Sequence, residues 1–194
     1  MKELLIESKG IRTNQYFIPP FELREGDLVL IHLDCHVASS YVEEKLISIF
    51  SGKEKHKNVR IKQPHTFVKH FRESRFKDKF FPATVGEYLS KNANPKSEFA
   101  NKIYEIDWIN KDIKIKTLAG NPKKLISLYS VLSKTNNIIF DLGAQDYQGM
   151  EHAAKIVKDE IGNNGSAILI EQNDYLKKYS TKYIRIEWFI DLGE

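Results

Sequence analysis

One cysteine, Cys35, is all the thiol chemistry in this chain of 194 residues. It excludes an internal disulfide and suits a reducing compartment. It also leaves no cysteine-based zinc site, and His56, His65 and His70 lack the spacing of zinc ligands. A Cys35–His36 dyad fails on geometry, because neighbours on an extended chain point apart. No apolar run approaches the roughly 18 residues of a membrane span. The opening Met1-Lys2-Glu3-Leu4-Leu5-Ile6-Glu7 is too acidic, and its apolar run too short, for a signal peptide. A cytoplasmic protein is the expectation. A further absence is local: from Asp34 to Lys45 there is no glycine.

What is present is ordinary for a globular protein: 29% charged and 41% hydrophobic residues, in a length that suits one domain with a real core. The richness in Lys, Ile and Asn hints at an AT-rich, bacterial genome. The net charge of +4 is unevenly placed. Residues 51–79 hold ten Lys or Arg against Glu54, Glu73 and Asp78, a charge of +7 that leaves −3 for the rest. Such a run is read either as solvated surface or as a patch for nucleic acid, anionic lipid or an acidic partner.

Hydrophobic patterning outlines an α/β chain. Residues 1–26 alternate weakly around Pro19-Pro20, as edge strands and turns do. Leu28–Leu33 reads as a buried strand. Ser40 and Glu43 form a capping box ahead of Val42, Leu46, Ile49 and Phe50 at helical spacing. Residues 52–79 show no clear period and read as an irregular or partly helical insertion. Thr84 and Glu87 form a second capping box; Asn121 and Pro122 mark a third helix start. Ile138-Ile139-Phe140-Asp141 is an apolar run ending in a carboxylate. Met150, Ala153, Ala154, Val157 and Ile161 make one helical stripe, closed by Asn163-Asn164-Gly165. Ala167–Ile170 is a second buried run, ending in Glu171-Gln172-Asn173-Asp174. Strand, helix and strand make a βαβ crossover, and chemistry in such sheets lies beyond the carboxyl ends of the strands. Tyr183–Ile190 reads as a last strand with Ile184, Ile186, Trp188 and Ile190 on one face.

In this order, the segments resemble the ATPase subunit of ABC transporters over nearly the whole chain. Glu25-Gly26-Asp27 with strand 28–33 resembles the stretch that precedes the Walker A loop. Phe81–Leu89 resembles the "FP-x-(L)TV-x-E-x-L" segment of the helical subdomain. Leu118, Ala119, Gly120 and Asn121 stand at the LSGGQ signature, Ile138–Asp141 at Walker B, Ala144-Gln145-Asp146 at the D-loop and Ile170–Asp174 at the switch-histidine segment. The resemblance implies a P-loop-NTPase-like, mainly parallel sheet flanked by helices, with an antiparallel N-terminal edge. It further implies a core of 1–63 and 118–194 and a helical subdomain over about 64–117.

The departures from the family pattern bear on activity. Walker A needs glycines to wrap the phosphates, a Lys for the terminal phosphates and a Ser or Thr for magnesium. Residues 34–45 have no Gly-Lys-Ser/Thr, and Glu43 adds a carboxylate where a helix start should attract phosphate. The catalytic glutamate position holds Leu142 and the switch histidine position Asn173. The signature has Ala119 for serine and Asn121 for its second glycine. Asp141 (magnesium), Gln63 (Q-loop) and Lys45 are the remnant ATP/Mg positions, and Tyr16 and Phe17 fall where the family stacks adenine. For Asp141 a hydrogen bond to a nearby loop is the alternative role.

The expectation is a pseudo-ATPase with no cofactor, acting in assembly or regulation of an ABC-type transporter complex. An ATPase with an unorthodox phosphate loop, binding ATP/Mg weakly, is the alternative. A nucleic-acid-binding protein using residues 51–79 is a second alternative, weakened by the lack of a recognised reading motif. Partners implied are a membrane permease, a second ABC ATPase-type subunit, or both, in a homo- or heterodimer at the inner face of the membrane. Phe67, Lys69, Phe71, Arg72 and Arg75, with Phe76, are the expected partner-binding residues; the alternative for two of the three phenylalanines is that they fill the subdomain's own core.

Overall fold

Continuous apolar strands persist only where both faces are covered, and the buried runs of this chain lie side by side in one sheet. The computed structural model describes residues 2–72, 75–162 and 164–189, without the side chains of Arg75, Lys77 and Asp78. Its first half runs β1 (Leu4–Ser8), β2 (Ile11–Arg12), β3 (Tyr16–Ile18), β4 (Phe21–Arg24), β5 (Leu28–His32), α1 (Ser39–Phe50), β6 (Val59–Ile61) and β7 (Thr66–Phe67). Then follow α2 (Arg75–Phe80), α3 (Val85–Asn92), α4 (Gly120–Leu132), β8 (Asn137–Phe140), α5 (Tyr147–Ile161), β9 (Ser166–Glu171), β10 (Lys182–Arg185) and β11 (Glu187–Trp188).

Strands β10, β5, β9, β8 and β7 form a five-stranded parallel sheet in that order. Val29, Ile31 and Leu33 share a core with Ile139, Ile168, Ile170 and the α1 residues Val42, Leu46, Ile49 and Phe50. Leu28 and Leu30, which alternate to the other face, are also fully buried. Each such side chain contributes about 1.5–3 kcal/mol on burial. Two antiparallel sheets, β4-β1-β6 and β11-β3-β2, complete the N-terminal edge. The expected α/β architecture is therefore present.

Four local expectations need correction. The basic stretch contributes two strands: Val59 and Ile61 are half-buried around exposed Arg60, and β6 pairs with β1 while β7 pairs with β8. Neighbouring strands supply the hydrogen bonds that the local sequence does not advertise. The last run is divided at Ile186, whose N–H donates to the His32 carbonyl, so β10 joins the parallel sheet and β11 pairs with β3. Ile190 lies outside the described residues. Helix α1 starts at Ser39 behind Ala38 with no side-chain cap, so the Ser40–Glu43 box does not form. Helix α4 starts at Gly120, which puts Asn121 inside the first turn rather than at the cap. The Thr84–Glu87 box forms in full, with Glu87 N–H donating to Thr84 Oγ1 (3.2 Å) and Thr84 N–H to Glu87 Oε2 (3.0 Å).

The chain divides into two compact units, residues 1–67, 136–141 and 154–194, and residues 68–135 and 142–153. This differs from a subdomain over 64–117, because α4 and the start of α5 fall in the second unit. Within it, α4 packs against α3 and the 3-10 turn Glu98–Glu105.

Candidate functional site

Arg185, His32 and Glu171 end three adjacent parallel strands in register, since His32 pairs with both of the others. Asp141 follows the next strand, β8. The carboxyl edge of the first unit is thus a row of ionisable residues above an apolar sheet. His32, Asp141 and Glu171 are each less than 10% exposed. Glu171 Oε2 accepts from the Gln172 N–H (3.2 Å) and from Asn173 Nδ2 (3.3 Å).

The loop from β5 to α1 is held by this row and by the C-terminal strands. Asp34 adopts φ of +54°, a left-handed conformation that aspartate tolerates better than most residues. Its carboxylate pairs with Arg185, with Nε 3.2 Å from both oxygens and Nη2 3.1 Å from Oδ1. That pairing raises the Arg185 pKa further above its usual range. His32 Nε2 lies 3.3 Å from Asp34 Oδ1 and 3.2 Å from the Gln172 carbonyl, while Nδ1 meets the Tyr183 hydroxyl. His36 stacks on Trp188 at 3.9 Å, and Trp188 Nε1 donates to the Leu33 carbonyl (3.0 Å).

A phosphate cradle needs backbone N–H groups aimed at one empty point. Here the N–H groups of Leu33, His36, Ala38 and Ser39 are used inside the chain. Leu33 N–H donates to the Glu171 carbonyl (2.8 Å), His36 N–H to Ser39 Oγ (3.2 Å), Ala38 N–H to His36 Nδ1 (3.1 Å) and Ser39 N–H to the His36 carbonyl (2.9 Å). Ser39 Oγ in turn donates to the Asp34 carbonyl (2.9 Å). Cys35 and Val37 form the exposed tip.

The three remnant positions do not assemble around this loop. Lys45 Nζ is bound by Glu54 at 2.5 Å, and Glu54 is anchored beside the carboxyl end of α1 by its N–H to the Ser48 carbonyl. Gln63 precedes β7, whereas Asp141 follows β8; because Thr66 pairs in parallel with Ile138, they lie at opposite ends of the sheet. Only Asp141 stays at the carboxyl edge. Tyr16 is buried edge-on to Trp188 at 5.8 Å, and burial pushes its hydroxyl pKa up. Phe17 lies under the Arg12 guanidinium at 5.4 Å. Leu142 is fully buried. The residues present do not fit a bound ATP/Mg in the manner the resemblance implies.

The signature-like residues lie in the second unit. The Asn121 Oδ1 accepts from the Asp146 N–H (3.2 Å), and Asp146 Oδ1 accepts from the Gly149 N–H (2.8 Å). That last bond, with the Asn121 contact, holds the Asp146 carboxyl below the usual carboxylate range. A Cβ on Gly120 would overlap the Ala144 carbonyl oxygen, and one on Gly149 would overlap the Asn121 side chain. The signature-like and D-loop-like segments are thus interlocked, with Leu118 buried and Ala119 exposed.

The same unit has a groove of about 790 Å³ lined by Lys69, Phe71, Arg72, Phe76, Phe81 and Lys91, among others. Phe76, Phe80 and Phe81 are 65%, 55% and 73% exposed, an aromatic cluster with ring centroids 5.1 and 6.4 Å from Phe76. Phe71 packs edge-on against Tyr88 at 5.5 Å. Of the expected partner residues, Lys69, Phe71 and Arg72 meet here. Phe67 instead packs half-buried against the first unit's core, because β7 takes a place in the sheet. The Arg75 side chain lies outside the described residues.

Residues to which the sequence gives no role at this edge are Arg185, Tyr183, His32 and Trp188. Their roles depend on pairings with residues about 150 positions away, for which no local pattern exists. Among the described residues no helix is long and apolar enough to cross a membrane.

No protein-family model matches the sequence, and no curated protein matches it significantly. Solved structures do match. An ATP-binding protein of the ABC transporter class from Pyrococcus furiosus is 14% identical with a TM-score of 0.71, over 94% of this chain and 97% of that one. CbiO1 of Clostridium perfringens, part of the ABC transporter complex cbiONQ, is 14% identical with a TM-score of 0.67, over 97% and 88%. A nucleotide-free ATP-binding cassette from an ABC transporter is 16% identical with a TM-score of 0.64, over 97% and 90%. At these identities the likeness shows the fold, which is that of the ABC ATP-binding cassette.

Proposed function

We propose that this chain, built on the ABC ATP-binding-cassette fold, is a non-hydrolysing subunit that assembles or regulates an ABC-type transporter complex. The observation that carries this reading is the fate of the loop after β5. The N–H groups of His36, Ala38 and Ser39 are bonded within the chain, Asp34 is paired with Arg185, and Lys45, the lysine of α1, is bound by Glu54. Loss of a general base alone costs about 10²–10⁴ in rate, and phosphoryl transfer depends still more on positioning. Held by Asp34, the Arg185 guanidinium is not free to meet a phosphate.

The test is a thermal-shift titration with ATP and magnesium. A ligand present at about 100 times its dissociation constant raises stability by about 2.7 kcal/mol. No shift at millimolar ATP is the expected result. A saturable shift lost on Asp141→Ala overturns the proposal and favours a weakly binding ATPase.

The membrane-facing part of the proposal rests on the groove of the second unit. Aromatic anchors with cationic neighbours are the composition of interface hot spots, and Glu87, the carboxylate among its lining residues, is engaged in the α3 capping box. The expected occupant is a segment of a permease at the inner face of the membrane. Pull-down from native membranes with the wild type and an Arg72→Glu/Arg75→Glu double variant checks this. Equal recovery of the same membrane proteins by both, or recovery of none by either, rules the surface out.

A further inference from the structure

A second cavity lies in the first unit, at the carboxyl end of α1. It has a volume of about 530 Å³, within the range of small-molecule sites. Its floor is apolar, made by Ile49, Val59, Ile61 and Pro64, and its rim is Lys55, His56 and Lys57. Gly52, with φ of +74°, turns the chain from the helix into this rim.

Three features give the rim a net attraction for an anion. Glu54, the carboxylate lining the cavity, is neutralised by Lys45. Lys55 and Lys57 have no ion pair or hydrogen bond to a side chain among the described residues. His56 Nδ1 accepts from the Asn58 N–H (3.2 Å), so the neutral ring carries its proton on Nε2 as a donor. A helix carboxyl end ordinarily repels anions. Here the carbonyls of residues 47–50 all accept hydrogen bonds, from the N–H groups of Ser51, Lys53, Glu54, Gly52 and His65, which blunts that repulsion.

We infer that this cavity binds a small amphipathic carboxylate of the medium-chain fatty-acid type. Its tail lies on Ile49, Val59, Ile61 and Pro64, and its carboxylate lies between Lys55 and Lys57 with His56 as a further donor. An apolar floor alone would take any hydrophobe; the cationic rim selects the charged one. This site is independent of the ATP question and of the groove in the second unit.

The test is a titration of the isotope-labelled full chain with octanoate, followed by backbone amide shifts, with 1-octanol as the uncharged control. Saturable shifts confined to residues around 49–64 are expected, with octanol at least about tenfold weaker, since charge-assisted bonds are lost. A Lys55→Glu/Lys57→Glu double variant is expected to weaken octanoate about tenfold or more without changing the melting curve, because both side chains are exposed. A Lys55→Arg/Lys57→Arg variant retains binding. Absence of saturable shifts, shifts located elsewhere, equal binding of octanol, or unchanged octanoate affinity in the charge-reversed variant each overturns the assignment.

Discussion

His65 is buried at the amino-terminal end of the sheet, with Nδ1 3.0 Å from the Gln63 carbonyl and Nε2 2.7 Å from Ser166 Oγ. Burial pushes its pKa down to about 4, although the Gln63 carbonyl partly opposes this. Nδ1 must carry the proton to donate to that carbonyl, so Nε2 accepts from the Ser166 hydroxyl. Ser166 also lies 3.0 Å from the Asn137 amide. Because the unfolded chain binds the proton more tightly, the stabilising effect of neutral His65 is present above pH 6.5 and lost as pH falls toward 4. The loss is of the order of 3 kcal/mol. Denaturant melts of wild type and His65→Asn between pH 4 and 7 should converge as pH falls. Arg185→Ala frees Asp34 from its bidentate partner, and a small drop in melting temperature that shrinks at high salt is expected. Neither effect had a sequence signature, because His65 and Arg185 look like ordinary polar residues until their distant neighbours are known.

At the scale of elements, the most legible features were those whose cause is local. The Thr84–Glu87 box needs only four consecutive residues, and it forms as expected. Thr84→Ala should cost about 1 kcal/mol, read from chemical denaturation. The stripe of Met150, Ala153, Ala154, Val157 and Ile161 is buried along α5 for the same reason. Ser40–Glu43 has the same local grammar, but Ser39 competes successfully by bonding the loop at His36 N–H and the Asp34 carbonyl. Strands β6 and β7 escaped notice because their pattern is short and crowded with lysine and arginine. Gly120 belongs to this scale too: its importance lies in the close passage of the Ala144 carbonyl rather than in its own backbone angles. Gly120→Ala should lower the melting temperature markedly, and Gly149→Ala should do the same by displacing Asn121. A melt of either variant indistinguishable from wild type would show that these segments separate freely.

For the molecule as a whole, activity depends on a phosphate being held in place before any base can act. Leu142→Glu places a carboxylate at the position the family uses for its base, yet a base without a positioned phosphate has nothing to act on. No turnover above background is expected for this variant or for the wild type in a phosphate-release assay. Measurable hydrolysis by the variant would mean that the loop after β5 rearranges on meeting nucleotide. The absence of glycine from residues 34–45 was visible in the sequence; the packing of the loop as an ion-paired corner was not.

Periodicity and order along the chain were enough to determine the central strands β5, β8 and β9 of the parallel sheet, where they end and the resemblance to a cassette, because burial on two faces leaves its mark on every residue of a strand. Only the tertiary structure decided which positions meet: Asp34 with Arg185, His36 with Trp188, Gln63 away from Asp141, and Phe67 in the core rather than on a docking surface. The physical reason is that these contacts join residues far apart in sequence. Each is selected by register and packing across the sheet, and the local sequence around any one of them is compatible with many partners.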